Sequence, residues 1–502
     1  MLKSFGDAWA VAVAACIVMA CAGEDEDASD GPWRFGVEVP ASPQSEGDPV
    51  RGRELLLEGE YISCGVPIKL YDDATFGPAV RTGLGVTAES QVLPDRGGED
   101  AALPYFVSMF QTPEGVQVVS TNCLACHGGV IDGKVVVGLG NAAADFTAAP
   151  APPTEAIADS VLQAAGLTDA EIAAFRKVVT RVQVMAPAAT MRTVGNNPAE
   201  QAMGVIVAHH DQQTLAWSDA QLIDFAPRDA NGDPLTDAIL TSDPPPWWRA
   251  KKKNALFYNG MARGDHRGTM ELGTAVCVDS VAQAERVDAW FRDIQAYIRT
   301  LKAPKYPRSV DSGLASRGHE IFTQECAGCH GTYATDPDDD AHDTYPNLLI
   351  PLDVIRTDAV VAEAAVKYAP QLLDWYNGSF YGTVTPLVVN DPFPGYMPPP
   401  LDGIWATPPY LHNGSVPTIE LVLDSRSRPN AWKRVDYDTT HIDEEALGWP
   451  FEPVDSQAGA PEEQRKYIYD TRYFSQSNQG HTFGDHLSSD ERRAVIEYLK
   501  TL

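Results

Sequence analysis

The chain has 502 residues, 44% of them hydrophobic, and carries a formal net charge of −31. That length exceeds one ordinary core and implies two domains with insertions, while the apolar fraction is normal for a soluble globular protein. The charge excludes nucleic acid as a partner and disfavours anionic membrane surfaces, leaving a basic redox partner protein or an uncharged substrate.

At the N-terminus Lys3 is the only positive residue before an apolar run from Ala8 to Ala20. The run is too short to span a bilayer and has the length of a signal-peptide core. It ends in Val18-Met19-Ala20-Cys21, small residues leading into a cysteine. This predicts a signal peptide over 1–21 of lipoprotein type, with Cys21 as the lipidated first residue and a lipid anchor to a membrane. A plain secretory signal is the rival reading, and Val13-Ala14-Ala15-Cys16 is a competing box. Either places the protein outside the cytoplasm, in the periplasm or at the cell surface as an outer-membrane lipoprotein. Residues 22–48, opening with Glu24-Asp25-Glu26-Asp27, read as an acidic flexible tether. No later stretch is apolar enough for a transmembrane helix.

The expected fold class is mainly α, with two cytochrome c-like haem domains and long irregular insertions. The first domain covers 49–302. It opens with Arg51-Gly52-Arg53-Glu54, starting a short amphipathic helix, and reaches Cys123-Leu124-Ala125-Cys126-His127. An Ala/Pro connector, 148–153, precedes a helix expected over 169–184 with Thr168 as N-cap. Pro244-Pro245-Pro246 cannot be helix or central strand. Trp247, Trp248, Phe257 and Tyr258 cluster around Lys251-Lys252-Lys253. Trp247 and Trp248 are candidate catalytic residues, as pocket lining or as aids to electron transfer, and equally good core residues. The lysines and Arg192 are candidates to pair with haem propionates or, for the lysines, carboxylates. The domain closes on a helix from Val287 through Leu301.

Prolines 304 and 307 mark a linker over 303–310. The second domain, 311–502, repeats the scheme. It has Arg317-Gly318-His319-Glu320, then Cys326-Ala327-Gly328-Cys329-His330, a second triple proline at 398–400, and a terminal helix from Glu491. His127 lies 170 positions before Tyr297, and His330 lies 168 before Tyr498. The chain is a diverged internal repeat.

C-x-x-C-H has a mechanical reason. Two thiols add across the haem vinyl groups, and the adjoining histidine is held beneath the iron. The sequence therefore predicts two covalently bound c-type haems, attached through Cys123, Cys126, Cys326 and Cys329, with His127 and His330 as iron ligands. Zinc would want a second ligand pair at close spacing, and a redox dithiol a thioredoxin-like context. Cys64 and Cys277 remain as a disulfide candidate in an oxidising compartment. His481, one loop before the terminal helix, is the favoured distal ligand of the second haem, with His412 and Met397 as alternatives. For the first haem, His209 and His210 are weak candidates, and the sixth position is expected to lack a protein ligand. That arrangement would make the first haem an oxygen- or peroxide-activating site and the second an electron relay. If both irons are six-coordinate, the chain is instead a non-catalytic periplasmic electron-transfer cytochrome.

These stretches resemble the dihaem c-type cytochromes related to bacterial rubber oxygenase and, more distantly, the bacterial dihaem cytochrome c peroxidases. The resemblance rests on Arg51 to Arg53 through Cys64-Gly65-Val66-Pro67, on Gly138-Leu139-Gly140-Asn141 after the first motif, and on Trp247 to Lys253. In the second half it rests on Ile404 to Pro417 and the tail from Gly480. It implies two haem domains with few regular elements, a haem-dependent oxidoreductase of peroxidase- or dioxygenase-like type, oxygen binding at the first haem, and His481 closing the second. In rubber oxygenases the substrate is a polyisoprene polymer, and this chain is shorter than those enzymes.

Overall fold

The computed structural model describes residues 31–148, 157–224, 239–334, 340–388 and 393–502. The expected signal peptide with Cys21 lies outside them. Each half is built on a pair of packed helices, Pro49–Glu58 with Val281–Ile298 and Ser312–Glu325 with Ser489–Leu499. Their starts are set locally. Asp48 and Asp311 accept from first-turn amides, Ser280 accepts from Gln283, and Ser488 forms a capping box with Glu491.

The repeated Arg-Gly dipeptide is explained by close approach. A Cβ on Gly52 would lie 1.8 Å from the Asp293 carbonyl oxygen, and one on Gly318 1.9 Å from that of Ala494. Only glycine lets backbone meet backbone there. Leu56, Leu57, Phe291 and Ile294 then form the core of the first pair, and Phe322, Val495, Ile496 and Leu499 that of the second.

The expectation of a mainly α fold is corrected. The described chain is about 41% helical and 12% strand, a mixed architecture. Its strands form five small sheets of two or three strands each, all antiparallel. Strands of two to five residues are too short to display the alternation by which sequence reveals them. Two sheets frame the first haem motif. The hairpin Val107–Gln111 with Gln117–Thr121, joined by Val66–Pro67, leads into Cys123. The hairpin Gly128–Ile131 with Lys134–Val137 leaves His127 directly. Its turn, Asp132-Gly133, has positive φ at both residues, 46° and 72°. That Asp-Gly pair was the legible signal for a strand hairpin.

The expected helix at 169–184 is present as Asp169–Ala189, with a Thr168–Glu171 capping box. The described part of the stretch read as a tether, 31–48, is ordered rather than loose. Val37 and Glu38 pair with Leu349 and Leu348 of the second half. Gln44 accepts from the His266 amide and from Gln295 Nε2 of the first half. A disulfide joins Cys64 to Cys277, with 5.2 Å between Cα atoms. It ties the first sheet to the entry of helix Val281–Ile298.

Substituting alanine for Gly318 is expected to cost about 1–3 kcal/mol by forcing the helix pair apart. Gly83→Ala, at a helical site with open space around it, is expected to be neutral or slightly stabilising. Denaturant unfolding of the two variants checks this.

Candidate haem sites

The first motif is positioned by its neighbours on both sides. Asn122 accepts from the Leu124 amide and donates to the Tyr105 carbonyl and Ser108 Oγ, setting the short helix Leu124–His127. The Gly138–Asn141 run closes over it. The Gly138 amide donates to the His127 carbonyl, and Asn141 donates from its backbone to Cys126 and from its side chain to Ala125. Gly140 is required because a Cβ there would sit 1.8 Å from the Pro244 carbonyl. The proline run so drawn in carries the Pro245 carbonyl to 3.1 Å from His127 Nδ1. Trp247 then stacks on the His127 ring, with centroids 4.8 Å apart.

The second motif repeats the device. His330 Nδ1 lies 2.8 Å from the carbonyl of Pro399, the middle residue of the other triple proline. Tyr333 donates to the His330 carbonyl, and Tyr345 to that of Pro398. Each histidine thus has its Nδ1 engaged, which leaves Nε2 as the nitrogen available for iron.

His330 faces His481 across an apolar cavity that Cys326, Cys329, Met397 and Leu499 also line. The two ring centroids are 6.3 Å apart. Two imidazoles that bind one metal from opposite sides, each nitrogen about 2 Å from it, have ring centres roughly 6 Å apart. The cavity, the paired rings and the cysteines on its wall therefore fit a haem. In the first site Cys123, Cys126 and His127 are each half-buried.

Burial disfavours thiolate chemistry at both motifs. Burial pushes Cys123 up to about 11, and Cys126, Cys326 and Cys329 up to about 12. Burial pushes His127 down to about 4 and lowers His330 as well, so both imidazoles stay neutral. No group of three or more His, Cys, Asp or Glu among the described residues could hold a metal ion by itself.

His481 is held by its backbone. Its φ is +44° after Gly480 at +74°, its amide donates to the Ile355 carbonyl, and Arg428 donates to the carbonyls of Asn478, Gly480 and His481. Its ring lines the cavity, and its buried Nδ1 makes no well-formed hydrogen bond. Of the alternatives, His412 lines the same cavity but stacks on Tyr396 at 4.0 Å, and Met397 lies in the wall near Gly260. It is the ring of His481 that stands against His330.

His209 and His210 are engaged elsewhere. His209 stacks on Trp217, and His210 places its two nitrogens on the carbonyls of Ile206 and Val278. Among the described residues, the ring against His127 is that of Trp247. Neither Trp247 nor Trp248 lines the cavity at the second motif. Trp248 is 1% exposed, and its indole N–H donates to the Asp402 carbonyl. Of the lysine triplet, Lys252 bonds Asp343 and Asp402, and Lys253 donates to the Phe257 carbonyl. Arg192 stacks on Tyr473.

Sequence reasoning missed Arg249. This buried guanidinium lines the cavity and donates to the Asp402 carbonyl and Thr407 Oγ1, with no ion pair among the described residues. Asp243 is near, but burial holds its carboxyl well above the usual range. A charge facing an apolar cavity in this way suits an anionic substituent such as a haem propionate. The signal was obscured because Arg249 adjoins three lysines that looked like better candidates.

Comparison with known proteins gives a match within the second half. Residues 395–433 match a family described as RoxA-like, cytochrome c-like. This segment contains Pro399, which orients His330, and the cavity residues Met397 to His412. The chain carries a cytochrome c-like segment related to the RoxA group, and c-type haem is its cofactor. Two uncharacterised proteins of Sinorhizobium fredii are also similar. One, y4iJ, is 30% identical over 40% of this chain and 41% of its own length. The other, y4iM, is 27% identical over 41% of this chain and 52% of its own length. The chain thus spans about two fifths to one half of the curated relatives it matches.

Arg249→Leu is expected to lower the reduction potential of the haem in this cavity, because removing a buried positive charge favours the oxidised iron. Spectroelectrochemical titration of the holoprotein reads it.

Proposed function

We propose that the chain is an exported dihaem c-type cytochrome acting as a haem-dependent oxidoreductase. Its first haem, on Cys123, Cys126 and His127, is the oxygen- or peroxide-facing one. Its second, on Cys326, Cys329, His330 and His481, relays electrons. The observation that carries this reading is the asymmetry of the two histidines. His330 has a second imidazole, that of His481, across its cavity, whereas among the described residues no second histidine ring stands against His127, whose own face is packed by Trp247.

Haem supplies reversible electron uptake and, where a coordination position stays open, activation of oxygen or peroxide. The chain's own residues do the rest. The Pro245 and Pro399 carbonyls hold the two proximal rings in one tautomer. Arg428 fixes the loop that presents His481. Arg249 offsets negative charge inside the second cavity. The indoles bridge the sites. Trp247 stacks on His127, the adjacent Trp248 donates to the Asp402 carbonyl, and Arg249 donates to the same carbonyl and lines the second cavity. This continuous packed route favours electron transfer between the haems as the role of the tandem tryptophans. Export, and anchoring through Cys21, are supported by the N-terminal pattern alone. The substrate is a small molecule or polymer, and the electron source a redox partner protein.

Pyridine haemochrome analysis is expected to give two covalent haems per chain. Carbon monoxide is expected to bind one haem of the reduced protein, and both in His481→Ala. Failure of carbon monoxide to bind either haem of the wild type would leave only an electron carrier.

A further inference from the structure

We infer that Trp33 is a positioning residue that seals the thioether side of the second haem site and sets the potential of that haem; the inference rests on the dihaem reading above. Pro32–Phe35 forms a short turn against the second motif, and Pro32 itself lines the cavity that holds His330 and His481. The indole of Trp33 lies on Gly328, between the two cysteines of that motif. A Cβ on Gly328 would come within 2.2, 2.5 and 2.7 Å of three indole atoms. The two motifs differ at this position. The first has Ala125 where the second has Gly328, and a methyl group there would shut the indole out.

Trp33 packs into the cluster that contains Cys329, Ile350, Ile355 and Tyr396, with Phe483 beside it. The segment is pinned just beyond it. Val37 and Glu38 pair with Leu349 and Leu348, the Val39 amide donates to the Asn347 carbonyl, and Asn254 donates to that of Val39. Phe35 and Val37 are half exposed, at 51% and 54%, so the strap has solvent on its outer face and the cysteine pair on its inner one. Water kept from this edge cannot stabilise the more highly charged oxidised haem, and its exclusion raises the potential.

The test uses the full-length holoprotein. In Trp33→Ala the second-haem potential is expected to fall by at least the equivalent of a tenfold shift in the reduction equilibrium, about 59 mV for one electron. The low-spin spectrum of that haem and the first-haem potential are expected to stay as they were. Trp33→Phe should restore most of the potential. Gly328→Ala should reproduce the loss by displacing the indole, and it decides the matter alone if Trp33→Ala does not accumulate. Ala125→Gly should leave the second haem unchanged. Two haems per chain with an unmoved second potential in Trp33→Ala or Gly328→Ala would overturn the inference. A single haem per chain in the wild type would overturn the dihaem reading instead.

Discussion

The arrangement depends on one hydrogen bond made twice, from a C-x-x-C-H histidine to the carbonyl of the middle residue of a triple proline. A run of prolines has no backbone N–H and joins neither a helix nor a central strand, so its carbonyls are left without backbone partners. Such a carbonyl is a fixed acceptor. It selects the imidazole tautomer and leaves Nε2 free of the backbone, at the second motif facing the cavity. The rest of each site is built to bring the proline run to the motif: Gly140 lets Pro244 approach the first, and Tyr345 holds Pro398 at the second.

Around this shared device the two halves have diverged in what they place nearby. The second motif has gained an apolar cavity, a second imidazole on an Arg428-clamped loop, and a buried guanidinium that the first half supplies through Arg249. The first half has an indole on its histidine and hairpins on either side of its motif. Buried charge such as Arg249 is costly without a partner, and its survival in an apolar wall is understandable if the cavity normally holds a group of opposite sign.

The halves are also held together by chain that contributes to neither helix pair. Residues 31–48 run from the second motif to helix Val281–Ile298, by strand pairing at one end and through Gln44 at the other. Trp248 and Arg249 reach the Asp402 carbonyl from the other side. The two sites therefore sit on a common scaffold, which is what electron exchange between them would require.

By itself the sequence determined what is local and chemically specific. It contained both C-x-x-C-H motifs, the framing helices, the internal repeat, and the Cys64–Cys277 pair that the structure joins. It also pointed to His481, because a histidine one loop before a packed terminal helix has few places to go. What only the tertiary structure decided depends on contacts distant in the chain. The strands were illegible because they are too short to show a period, and the Asp132-Gly133 turn signal for one hairpin was missed. The role of the proline runs was illegible because a carbonyl acceptor 118 or 69 residues from its histidine leaves no trace in side-chain identity. Arg249 over the lysines, and an ordered strap where an acidic tether was expected, follow from burial, and burial is set by which surfaces the folded chain brings together.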